Sequence, residues 1–317
     1  MTDRPPPLPG VGPDLDTELA AWANDPAWPQ LVTAFGGDAE DLPGPTAQRL
    51  AWLDTFSDRW DARLGGLERD QTAELRITES QDILIRQVAT HFGMRTARPP
   101  RFSDYDHVLA LGGLIRACFI RPAYAAELLS TSTVSSNSFI ALGGHRPFSE
   151  SEHALARQMN LSGVDSEYTA LDAGVRAAFH LDQPTEVEGE VSDSPGGSWT
   201  VHKYGGDGAL AVTVAAAPSS QPQRRRANTA DAYVWMARNL THLRPGQRLL
   251  AVTTPIYVPA QHAAAVATLG VPYGVTVDTV GNDPGSIDAR WAQSFSATRY
   301  LMEFRSTIRA MRRLAGV

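Results

Sequence analysis

The spacing of apolar residues changes character near residue 100. Before it, Leu50, Trp52, Leu53, Phe56, Trp60 and Leu64 recur at roughly helical intervals, and Gly65-Gly66 end the run. Ile83, Leu84, Ile85 and Val88 predict another helix, closing near His91. Residues 14–100 thus read as a helical N-terminal region, bounded by Arg98-Pro99-Pro100-Arg101. After it come short apolar runs, three of which end in glycine or threonine. His107-Val108-Leu109-Ala110-Leu111 ends in Gly112-Gly113, and Ser138-Phe139-Ile140-Ala141-Leu142 ends in Gly143-Gly144. Leu210 to Val214, Leu249 to Thr254 and Gly274 to Val277 give three more. Helical stretches are expected around 121–130 and at 149–159, 166–180, 229–242, 258–269 and 296–314. Strands alternating with helices predict an α/β domain over 101–317, Rossmann-like and doubly wound, with a mainly parallel sheet. Residues 185–204 alternate polar and apolar around Ser194-Pro195-Gly196-Gly197 and predict an inserted β-hairpin or edge strands. The five prolines among residues 1–13 predict a disordered tail.

Ligands of an open parallel sheet bind beyond the carboxyl ends of its strands. That selects Gly112, Gly113 and Arg116 after the first run, and Gly143, Gly144, His145 and Arg146 after the second. It also selects Arg224, Arg225, Arg226, Asn228 and Thr229 after the third, and Thr253 and Thr254 after the fourth. Glycine lets backbone amides approach a ligand, and arginine binds phosphate or carboxylate through two parallel bonds. These residue types predict a site for an anionic small molecule. His145 and Glu152 are the candidate acid–base groups. His145 also reads as a turn histidine bonded to backbone. Ser149-x-x-Glu152 and Asn228-x-x-Asp231 also read as helix capping boxes. No GxxxxGK[ST], GxSxG or HExxH motif is present, and no metal ligands are predicted.

Composition narrows the classes. The net charge of −7 argues against a nucleic-acid partner. The 43% hydrophobic and 20% charged residues argue against a wholly disordered chain. No signal-like N-terminus and no run of membrane-spanning length occurs, so a cytoplasmic chain with no membrane partner is expected. The lone cysteine, Cys118, lies in an apolar run and reads as a buried thiol. Lys203 is the only lysine, so the basic residues are almost all arginine. Those at Arg305, Arg309, Arg312 and Arg313 decorate the last helix and read as structural.

The loops of residues 105–280 resemble those of the YdcF-like/SanA-like family. Val108 to Gly113, Ala141 to Gly144 with Ser151-Glu152, Asn228-Thr229-Ala230-Asp231-Ala232, and Val252 to Tyr257 with Gln261-His262 carry the likeness. Asp231 and Ala232 replace that family's Glu and Asn, and its arginine is missing. The resemblance implies a Rossmann-like sheet with a ligand at the motif edge and raises S-adenosylmethionine as a ligand. Three functions stay open: an enzyme (hydrolase or group transfer) acting on a nucleotide-like or phosphorylated metabolite, a non-catalytic nucleotide or S-adenosylmethionine-binding module, and an interaction protein working through residues 14–100.

Overall fold

The structure is a computed structural model that describes residues 6–10, 14–62, 73–194, 196–205 and 210–316. The expected stop at Gly65-Gly66, Pro195 of the expected turn and most of the expected tail lie outside the described residues. Four helices come first: α1 (Leu15–Ala23), α2 (Ala27–Ala34), α3 (Thr46–Phe56) and α4 (Glu79–His91). Then follow β1 (His107–Leu111), α5 (Ile115–Ser130), β2 (Ser138–Gly143), α6 (Glu150–Gln158) and α7 (Glu167–Phe179). Next are β3 (Glu186–Glu190), β4 (Trp199–Tyr204), β5 (Ala211–Ala216), α8 (Thr229–Asn239) and β6 (Arg248–Thr253). The chain ends with α9 (Val258–Ala265), the one-turn α10 (Val271–Tyr273), β7 (Thr276–Gly281) and α11 (Ala297–Leu314). Among the described residues no helix is long and apolar enough to cross a membrane.

Two compact units partition the chain. The first comprises residues 1–97, 255–267 and 293–317, and the second 98–254 and 268–292. In the first, Trp28 is fully buried, stacks on Phe92 at 4.9 Å and meets Phe304 edge-on at 6.1 Å. The arginines of α11 do more than complement a helix dipole. Arg309 and Arg312 donate to Asp54 of α3 at 2.9 and 2.8 Å, and Arg305 pairs with Asp58 at 2.6 Å. Burial pushes the Asp54 carboxyl up, but the two guanidiniums outweigh it and hold the group below the usual carboxylate range.

The second unit is built on a seven-stranded sheet in the order β3-β4-β5-β2-β1-β6-β7. The strands from β5 to β7 in that order are parallel, and β3 and β4 add an antiparallel edge. The expected α/β architecture and the edge hairpin are therefore both present. Strands β1, β2 and β6 are buried on both faces, which is why they read as unbroken apolar runs. The last strand starts later than expected because Gly274, at φ +63°, ends the preceding helical turn in a left-handed conformation.

Helix α5 begins at Ile115, ahead of the expected start, and carries Pro122 in its interior. Proline has no amide to offer the Cys118 carbonyl one turn earlier. Gly174 of α7 packs against that same carbonyl, and a Cβ there would overlap the oxygen. Backbone thus meets backbone where α5 and α7 pack. Gly174→Ala forces the helices apart and lowers stability by about 1–3 kcal/mol in urea denaturation; an unchanged midpoint would show that the contact is loose.

Candidate active site

Numbered by their own order in the chain, the parallel strands run 3-2-1-4-5, so the direction of winding reverses between β1 and β6. The carboxyl ends of these two strands are Leu111-Gly112 and Thr253-Thr254. Arg121 of α5, only 2% exposed, joins them. Its guanidinium donates to the carbonyls of Leu111, at 2.7 Å, and Gly112, and to the Thr254 hydroxyl at 3.2 Å. Thr253 is fully buried, and its hydroxyl has no partner among the described residues.

Beside this junction lie three charged side chains. Arg146 holds Glu152 through two parallel bonds of 2.6 and 2.8 Å, donates to the Gly113 carbonyl at 3.0 Å and reaches Glu167 at 3.3 Å. Glu152 also accepts from the Ile115 amide at 2.9 Å and the Ser149 amide at 3.0 Å. The capping box at Ser149 is therefore formed, and the same carboxylate also binds the first amide of α5. An incoming anion at that helix start would have to displace Glu152. Burial pushes the Glu152 carboxyl up, but Arg146 and the amides outweigh it and hold it below its usual range.

Glu167 is the first residue of α7, after the N-cap Ser166. Its carboxyl presses against the ends of β1 and β2, where a Cβ on Gly112 would overlap Oε1 and one on Gly143 would lie 3.3 Å from it. Those two glycines leave the room that the carboxyl occupies. Burial pushes Glu167 up to about 7, with Arg146 and Arg121 pulling the other way and Glu152 adding to the rise. The side chain keeps 15% of its surface exposed.

The raised value has a consequence for stability. The contribution is present below the usual 4.5 and is lost as pH rises through about 7, because ionising the buried group favours unfolding. Relative to Glu167→Gln, the wild-type chain should lose about 3 kcal/mol between pH 4.5 and roughly pH 8. Parallel melting curves over that range would contradict this.

The remaining residues singled out by their loops lie elsewhere. Gly112, Gly113, Gly143, Arg146, Glu152, Thr253 and Thr254 gather at the strand ends, with Gly144 bonded through its carbonyl to the Arg146 amide at 2.9 Å. His145 turns to β4, its Nε2 lying 3.0 Å from the Thr200 hydroxyl, and burial pulls its imidazole below the usual range. Arg116 donates to the carbonyls of Arg290 and Ala292 at 2.8 and 3.3 Å. Arg225 pairs with Asp231, which its guanidinium and nearby amides hold down to about 2 against the effect of burial. Asn228 caps α8, which begins at Thr229, in a reciprocal box with Asp231. Arg224 and Arg226 are exposed. Cys118 is buried, and burial pushes its thiol up.

Two site residues were not among those expected from the loops. Arg121 left one signal, a charge directly after the apolar run Ala117 to Ile120 and inside the expected helix. Glu167 left a weaker one, an acidic residue directly after a serine N-cap.

The Rv3785 N-terminal domain family matches residues 11–93, inside the first unit's opening segment. No solved structure matches the chain. The YdcF-like/SanA-like resemblance is not upheld, since the matches point to Rv3785 and its orthologues. Gly112 and Gly143, two of the glycines that carried it, pack against Glu167. At 29% identity, the chain is similar to the uncharacterized protein Rv3785 of Mycobacterium tuberculosis H37Rv and to Mb3814 of Mycobacterium bovis, over 93% of its own length and 87% of theirs.

Proposed function

We propose that the chain is an enzyme that uses Glu167 as its general acid–base group. The reaction is hydrolysis or group transfer, and the substrate is a nucleotide-like or phosphorylated small metabolite that approaches the carboxyl edge of the sheet. One observation carries this reading: a carboxyl pressed against Gly112 and Gly143 at two strand ends, with its proton affinity raised by burial to about 7. A group that changes protonation near neutral pH both accepts and returns a proton efficiently. Arg146 favours the ionised state, while burial favours the neutral one, so the two forms lie close in energy. Glu152 does not suit this task, because Arg146 and two amides hold it ionised.

The anionic part of the substrate is assigned to the loop after β5, where Arg224 is exposed. Arg116, Arg146 and Arg225 are committed to partners within the chain and are not assigned to the ligand. The experiment is a product screen by NMR. Wild-type protein and Glu167→Gln are incubated with ATP, NAD, glucose 6-phosphate and ribose 5-phosphate. Turnover by wild type that Glu167→Gln loses supports the reading; turnover that Glu167→Gln retains sinks it.

A further inference from the structure

A pocket of about 290 Å³ opens between α5, α7 and the segment that follows β7. Its size suits a small heterocycle. Phe119 of α5 and Trp291 form one wall, their rings stacked at 4.5 Å with only 10° between planes. Arg116 fixes that wall by gripping the carbonyls on both sides of Trp291. Asn282, directly after β7, also lines the pocket and is only 2% exposed. Neither its amide nitrogen nor its amide oxygen has a partner among the described residues. A buried amide left unbonded lowers stability and offers nothing to packing that leucine would not supply better. Its chemistry is that of a reader: one donor and one acceptor, side by side and in one plane. The same pair on asparagine recognises the N6 and N7 edge of adenine in nucleic-acid complexes.

The charges at the pocket narrow the ligand further. Glu127 and Asp288 line it, and Asp288 is paired with Arg290. With Asp288 offset by Arg290, Glu127 leaves a net negative charge that disfavours a phosphate-bearing ligand and tolerates a neutral one. We propose that this pocket binds a neutral planar heterocycle with adjacent donor and acceptor atoms, the chemistry of an adenine base. The ring lies against the wall made by Phe119 and Trp291, and its polar edge pairs with Asn282. The inference does not depend on Glu167, since no lining residue belongs to that cluster.

The test is calorimetric titration of the full chain with adenosine, alongside Asn282→Leu and Trp291→Ala. Saturable binding is expected, weakened roughly tenfold or more in each variant. Asn282→Leu should also melt at or above the wild-type temperature, because its amide has no partner to lose. Failure of adenosine to bind overturns the proposal, and so does undiminished binding in either variant. A lower melting temperature for Asn282→Leu overturns it as well, by showing that the amide serves the fold.

Discussion

Replacing Arg146 by methionine should lower the free energy of unfolding by about 3–5 kcal/mol, which makes this guanidinium the most sensitive side chain of the strand-end cluster. Arg146 is 11% exposed and Glu152 2%, so the substitution strands a buried carboxylate. Glu167, 3.3 Å away, loses a positive neighbour at the same time. The effect comes from the charges left behind rather than from the bond itself. Methionine approaches the volume of arginine but ends short of the guanidinium, so a small cavity adds to the charge effect. A second substitution separates these contributions. Arg146→Met with Glu152→Leu should recover most of the loss, short of about 1–3 kcal/mol for the unbonded amides of Ile115 and Ser149. Urea denaturation of the single and double variants measures both. A single variant as stable as wild type would mean that water reaches the cluster and that burial does not govern it.

The second large effect concerns turnover. Once a substrate is identified, Glu167→Gln should reduce kcat by about 10²- to 10⁴-fold, the usual range for removing a positioned proton donor or acceptor. Glutamine is isosteric with the protonated acid, so it leaves Gly112 and Gly143 undisturbed. It cannot exchange a proton and carries no negative charge beside Arg146, so it removes the titration with little change of shape. Because the wild-type group titrates near 7, kcat/KM should follow a limb with its midpoint there, and the variant should lack that limb. A structural role for the carboxyl would move neither quantity in this way. Unchanged kcat with a flat profile would reassign Glu167 to packing.

The fold was largely legible, and the reason is local. Parallel strands buried on both faces show as short apolar runs, and β1, β2 and β6 do so plainly. Capping boxes at Ser149 and Asn228 were legible for the same reason, since their partners stand three residues apart. The return of residues 255–267 and 293–317 to the N-terminal unit was not, because no local pattern encodes which unit a helix joins. The site shows the same division. Glycine pairs marked the carboxyl ends of β1 and β2. What fills the space beside Gly112 is Glu167, brought there by a helix that the sequence places after a second strand. His145 looked well placed because it follows a glycine pair, yet its side chain meets Thr200 of the edge hairpin. The arginines looked available because the carboxylates that hold Arg146 and Arg225 face them only once α6 and α8 have formed.

Acid–base catalysis by Glu167 requires that its carboxyl change protonation near neutrality. Carbon-13 NMR of glutamate-labelled protein measures this directly, with Glu167→Gln identifying the resonance. A titration midpoint near 7 is expected. A midpoint at the usual 4.5 would contradict it, since a carboxylate fully ionised at neutral pH cannot serve as the proton donor there.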